Sequence, residues 1–162
     1  MRCYIGLGSN LDDPKAQLHA ALAELAELPR SRLLRASSLY RSTPMGPQDQ
    51  PDFVNAVAEI ETELSAERLL AELQALEASH GRVRGGSRWG PRSLDLDLLL
   101  YGAMRIDVPG LTVPHPGVPV RAFVLYPLHE IAPDLQVPGL GPLRELLVRC
   151  PAAGLARLGA AA

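Results

Sequence analysis

The run Leu94-Asp95-Leu96-Asp97-Leu98-Leu99-Leu100 limits what this 162-residue chain can fold into more than any other stretch. Its period-two alternation predicts a strand with Leu94, Leu96, Leu98 and Leu100 on one face and Asp95 and Asp97 on the other. A leucine face of that size must be covered, so the strand belongs to a sheet with helices packed on it. The two aspartate Cα atoms would lie ~6.6 Å apart, close enough for both carboxylates to converge on cations. Carboxylate oxygens suit hard divalent ions, and paired ions in phosphoryl-transfer sites stand ~3.5–4 Å apart. The plain alternative is the solvated face of a half-exposed strand. Aspartate is depleted in strands, however, and two at i and i+2 among leucines ask for a reason.

Just upstream, Gly81 to Arg92 holds four glycines and the four arginines Arg82, Arg84, Arg88 and Arg92. Such a run is by default a solvated basic loop. Beside a metal strand, it also suits a mobile lid that closes over phosphates, because guanidinium groups bind phosphate oxygens in pairs. No Gly-x-x-x-x-Gly-Lys-Ser/Thr and no Gly-x-Gly-x-x-Gly occurs in the chain, so nucleotide binding would rest on arginines and metal. His115, between Pro114 and Pro116, is kept in a turn and reads as a phosphate contact or proton donor. Phe53 and Asn55 share a strand face. They could be a core ring beside a turn-bonding amide, or a stacking surface beside an amide that reads a heterocycle edge. Phe123 is the only other phenylalanine.

The remaining sequence fits an α+β domain. With 47% apolar residues and a formal net charge of −2, the chain is globular and has no general attraction for nucleic acid or membranes. Cys3 and Cys150 read as free thiols, the N-terminus turns polar too early for a signal peptide, and no apolar run approaches ~20 residues. A cytoplasmic, soluble protein is expected. The predicted elements are a strand at Cys3–Leu7, a helix from Asp13-Pro14 to about Leu28, and strands over 32–40 and 53–62. A helix capped by Ser65 and ended by Gly81 follows, with Leu69, Leu70, Leu73 and Leu76 inward. After the Asp95–Asp97 strand come a hairpin through Gly102, a strand piece near Leu111–Val113, and helices over Arg121–Leu128 and Pro142–Cys150. The order β-α-β-β-α-β predicts a ferredoxin-like, split-βαβ sandwich, mostly antiparallel and packed with helices, over residues 1–162 as one domain.

Assembled in order, these segments resemble the 6-hydroxymethyl-7,8-dihydropterin pyrophosphokinase family. The resemblance rests on Gly8-Ser9-Asn10-Leu11, the run from Gly46 to Asn55, Gly81-Arg82-Val83-Arg84 and Arg88-Trp89-Gly90-Pro91-Arg92-Ser93-Leu94-Asp95-Leu96-Asp97. It continues through Val113-Pro114-His115-Pro116 and Arg121-Ala122-Phe123 to Glu130-Ile131-Ala132-Pro133. The resemblance implies magnesium-dependent transfer of a diphosphate from ATP to the pterin hydroxymethyl oxygen, with AMP released, in folate biosynthesis. It implies two Mg2+ ions on Asp95 and Asp97, and catalytic roles for Arg82, Arg92 and His115. On the ATP side it implies Leu70, Gln74, Glu77, Arg84, Arg88, Leu98, Thr112 and Arg121. On the pterin side it implies Ser42, Thr43, Pro44, Met45, Gly46, Phe53, Asn55, Trp89 and Phe123. Substrates are then small molecules, without nucleic acid or membrane partners, and the chain acts as a monomer. Two other readings stay open: a ferredoxin-like nucleic-acid-binding module, against which stands an aromatic content of only 4%, and a catalytically silent pterin- or nucleotide-binding relative.

Overall fold

The computed structural model describes residues 1–11, 13–43, 50–81 and 93–159. One antiparallel sheet organises them. Strand β1 (Arg2–Ser9) lies between β4 (Phe53–Thr62) and β5 (Asp95–Tyr101), and β4 is paired along its other edge by β2 (Ser31–Ala36) and β3 (Leu39–Ser42). Helix α1 (Pro14–Ala26) connects β1 to β2, and α2 (Ala66–Ser79) connects β4 to β5. This is the strand order expected of the split-βαβ plan, with every pairing antiparallel.

Local chemistry sets the helices as predicted. Asp13 accepts from the Ala16 amide with Pro14 at the first position of α1, and Ser65 accepts from the Arg68 amide to open α2. Leu18, Ala21, Leu22 and Leu25 of α1, with Leu69 and Leu73 of α2, pack on one face of the sheet against Ile5, Leu7, Val54, Ala56, Ala58, Ile60, Leu96 and Leu98. Leu70 and Leu76 are only partly buried against this core.

The opposite face is covered too. Helices α3 (Ala122–Ile131) and α4 (Leu143–Val148) bury Val124, Leu125, Leu128, Leu143 and Leu146 against Tyr4, Val57, Leu99 and Leu100. The sheet is thus the middle of three layers. Helix α3 runs past the predicted Leu128, continuing through Pro127 to Ile131.

Four details correct the sequence-based expectations. The single strand over 32–40 is two, interrupted at Ser37-Ser38, where the Ser37 hydroxyl accepts from the Val57 amide and the Ser37 amide donates to the Val57 carbonyl. Leu100 does not share the face of Leu96 and Leu98: Ile5 pairs with Leu98 but Tyr4 with Leu100, so Leu99 is an extra residue in a bulge that turns Leu99 and Leu100 both toward α3. Gly102 makes a turn but no β5 hairpin, since β6 (Ile106–Val108) pairs with β7 (Leu111–Val113) around Pro109-Gly110. Two small strands, β8 (Gln136–Val137) and β9 (Gly141–Pro142), precede α4, and an unforeseen strand β10 (Leu155–Gly159) extends the sheet on β3.

Candidate active site

The C-terminal half of β1 and the N-terminal half of β5 form the floor of the site. Gly6 lies opposite Asp97, and Gly8 lies opposite both Asp95 on β5 and Asn55 on β4. Asp95, Gly8 and Asn55 therefore make one row across three strands, spanning ~9.6 Å between the outer Cα atoms. A Cβ on Gly8 would stand 3.3 Å from Asn55 Oδ1. Gly8 leaves the floor bare between the carboxylate side and the amide side, whereas the space above Gly6 is filled by the Leu99 side chain, 3.4 Å from where a Cβ would stand. Gly8 was the sequence signal for this, though glycine in a strand interior usually reads only as a weakness.

Asp95 and Asp97 point away from the leucine core, and both are half-buried. The leucines Leu94, Leu96 and Leu98 are buried on the reverse face, so the alternation predicted for this part of the strand is present. His115 comes from the turn between β7 and α3, and its amide donates to the carbonyl of Leu99, the bulge residue. The bulge thereby carries the histidine to the edge of the carboxylate pair, with Nε2 3.9 Å from Asp97 Oδ1. The Gly117 amide donates to His115 Nδ1 at 2.9 Å. That bond occupies the Nδ1 lone pair and leaves Nε2 as the protonated, donating nitrogen. Burial pushes the His115 imidazole below its ordinary value; Asp97 opposes the shift and Arg121 adds to it. The result is a neutral ring with its N–H on the Asp97 side.

Arg121 precedes α3 and lies 5.8 Å from the centroid of the Phe123 ring. On the other side of the floor, Asn55 is buried and donates from Nδ2 to Ser42 Oγ at 2.7 Å. This bond fixes the amide so that Oδ1 faces Gly8. Phe53 lies two residues before Asn55 on β4, paired with Ser42 and half-buried. Thr43 is exposed, and its amide donates to the Gly154 carbonyl.

On α2, Leu70, Gln74 and Glu77 follow at i, i+4 and i+7, hence along one stripe. Leu70 is half-buried, Gln74 exposed and Glu77 buried. Leu98 packs in the leucine-side core, and Thr112 is exposed on β7 opposite Asp107. The structure thus brings Asp95, Asp97, His115, Arg121 and Phe123 to one side of the floor, with Asn55, Ser42 and Phe53 at the other. Pro44, Met45, Gly46, Arg82, Arg84, Arg88, Trp89 and Arg92 lie outside the described residues.

Sequence reasoning missed three supports of this arrangement. Asn10, at the end of β1, donates to Gln50 Oε1 and to the Pro51 carbonyl, tying the approach to β4 against the floor. Gly117 fixes the His115 tautomer through its amide. Glu77 accepts from the backbone of Leu96. None has a periodic signature, because each bond joins separate segments or rests on a backbone atom.

Comparison with known proteins gives this geometry a context. The family model for 7,8-dihydro-6-hydroxymethylpterin-pyrophosphokinase (HPPK) matches residues 4–133. The chain is 53% identical to the 2-amino-4-hydroxy-6-hydroxymethyldihydropteridine pyrophosphokinase of Pseudomonas aeruginosa, covering 97% of this chain and 96% of that protein. It is 55% identical to the protein of the same name from Haemophilus influenzae, over 89% of each chain. Among solved structures, the HPPK-DHPS of Plasmodium falciparum, wild type with pteroate, superposes with a TM-score of 0.70 at 12% identity. That likeness covers 91% of this chain but 44% of the other, so this chain spans less than half the length of that protein and shares its fold there. No described helix is long and apolar enough to cross a membrane.

Proposed function

The chain belongs to the 7,8-dihydro-6-hydroxymethylpterin-pyrophosphokinase family, and from that premise we propose how its residues divide the work. It is a pyrophosphokinase of folate biosynthesis. The proposed reaction is in-line attack of the pterin hydroxymethyl oxygen on the β-phosphorus of ATP, giving the pterin diphosphate and AMP. The observation that carries the division of roles is the row Asp95–Gly8–Asn55. It sets a carboxylate pair and a fixed amide at opposite ends of a floor left bare at Gly8.

The donor set fits Mg2+. Two half-buried carboxylates supply hard oxygens, and phosphate oxygens and water would complete the shell. When bound, two Mg2+ ions on Asp95 and Asp97 would neutralise phosphate charge and orient the attacking and leaving oxygens. His115 donates a hydrogen bond from its Nε2–H to a phosphate oxygen and keeps the proton; with Nδ1 engaged by Gly117 it has no lone pair to act as a base. Arg82, Arg84, Arg88, Arg92 and Arg121 bind the polyphosphate and stabilise the negative charge that spreads over it during transfer.

Asn55 reads the pterin edge beside Ser42, Thr43 and the following Pro44-Met45-Gly46, with Phe53 and Phe123 as stacking rings and Trp89 closing the pterin side. Leu70, Gln74, Glu77, Leu98 and Thr112 border the nucleotide. Holding both substrates in attack geometry is the largest contribution assigned to the protein. Residues 1–162 act as one domain and as a monomer. The test is incubation with 6-hydroxymethyl-7,8-dihydropterin, ATP and Mg2+, with nucleotide products separated. AMP formed in step with pterin diphosphate supports the reading; ADP, or no product, refutes it.

A further inference from the structure

Glu77 is only 5% exposed, and its Oε2 accepts a 2.8 Å hydrogen bond from the backbone amide of Leu96. Leu96 stands between the two aspartates. Strand β5 ends the sheet and, among the described residues, is paired on one side only, by β1. An outward amide on such a strand lacks a ladder partner. Here a carboxyl oxygen from the neighbouring helix supplies one, at 2.8 Å.

This bond acts on the peptide that decides where the carboxylates point. Asp95 and Asp97 share a face only while Leu96 stays extended with its side chain in the core. Rotation of that peptide would separate them.

We infer that Glu77 is a positioning residue for the carboxylate pair, holding the Leu96 peptide so that Asp95 and Asp97 face the same way before nucleotide arrives. The inference rests on the reading of those aspartates as metal ligands and deepens it. It also joins the helix stripe of Leu70 and Gln74 mechanically to the metal strand.

Two measurements test it without turnover. Amide exchange at Leu96, read by NMR on metal-free protein, reports the bond. Titration of Mn2+ with a non-hydrolysable ATP analogue, followed by electron paramagnetic resonance, reports the carboxylate pair. Glu77→Ala is expected to speed Leu96 exchange by at least about tenfold and to weaken Mn2+ binding. Glu77→Gln, whose amide oxygen can still accept, is expected to keep Leu96 protected and Mn2+ bound, and it serves alone if the alanine variant does not fold.

Unchanged Leu96 exchange in Glu77→Ala would overturn the inference. So would a Glu77→Gln variant that keeps Leu96 protected yet loses Mn2+, because the charge itself would then be what the site needs. Mn2+ affinity unchanged in Asp97→Ala would overturn the ligand reading beneath it. The exchange measurement tells that failure apart from the others.

Discussion

A single methyl group at position 8 should separate catalysis from folding. In Gly8→Ala the new Cβ would stand 3.3 Å from Asn55 Oδ1, slightly inside ordinary contact, so the amide must yield by a few tenths of an ångström. Asn55 is 3% exposed and held from behind by its 2.7 Å bond to Ser42 Oγ, so it can yield only by lengthening that bond. Weakening one neutral hydrogen bond costs about 0.5–1.5 kcal/mol. Alanine in place of glycine in a strand returns about 0.5–1 kcal/mol through the unfolded chain. The two nearly cancel. At ~2–4 °C per kcal/mol for a chain of this size, Tm should move by no more than about 4 °C.

The effect on turnover is of a different order. A misplacement of about 1 Å can cost ~100-fold in rate, so a shift of a few tenths should lower kcat/KM for the pterin by about tenfold, while KM for ATP stays near its original value. Steady-state assays of AMP release with each substrate varied in turn, together with a thermal melt, make the comparison. Pterin kcat/KM unchanged, or an equal loss for both substrates, would show that the Gly8 floor is not where the pterin and carboxylate sides meet.

Other consequences are equally concrete. Asp97→Ala should lower turnover by at least about 100-fold at saturating Mg2+ and leave the melt intact, because Asp97 faces the site and not the core; near-normal turnover would remove it from the metal site. Leu73→Ala, truncating a fully buried side chain between α2 and the sheet, should cost about 2–5 kcal/mol in urea unfolding; a loss below that range would mean the two layers close over the gap. Glu130 supplies a pH-dependent case. Burial alone would raise its pKa, but hydrogen bonds from Tyr40 and Ser38 and the charge of Arg157 outweigh this and leave it below the usual 4.5. A carboxyl with a depressed folded-state pKa stabilises the fold above its unfolded value and loses that contribution as pH falls through the folded one. The Tm difference between the natural protein and Glu130→Gln should therefore be largest above pH 4.5 and shrink on further acidification, and a gap that widened there would contradict the assignment.

How far the sequence could be read depends on the range of the interaction. The N-caps Asp13 and Ser65 act within four residues, and the alternation of 53–62 and of 94–98 acts within a strand; all are as expected. The face assigned to Leu100 was wrong, because a bulge depends on how β5 meets β1 and not on β5 alone. The break at Ser37-Ser38 likewise answers to Val57, twenty residues away. Strand β10 carried no recognisable pattern. It exists because β3 offered an edge, with Arg157 reaching across to Glu130 and Ser38.

The site divides in the same way. Periodicity was enough to put Asp95 and Asp97 on one face, and the segment motifs from Gly8 to Pro133 were enough to recognise the family. Side-chain roles beyond the carboxylates came with that resemblance. Only the tertiary structure decided that Gly8 separates Asp95 from Asn55, that Gly117 fixes the donating nitrogen of His115, and that Glu77 holds the peptide between the aspartates. The reason is physical. A one-dimensional pattern encodes which face a residue prefers, whereas the partner it meets there is chosen by strand order, register and the helix that covers the edge.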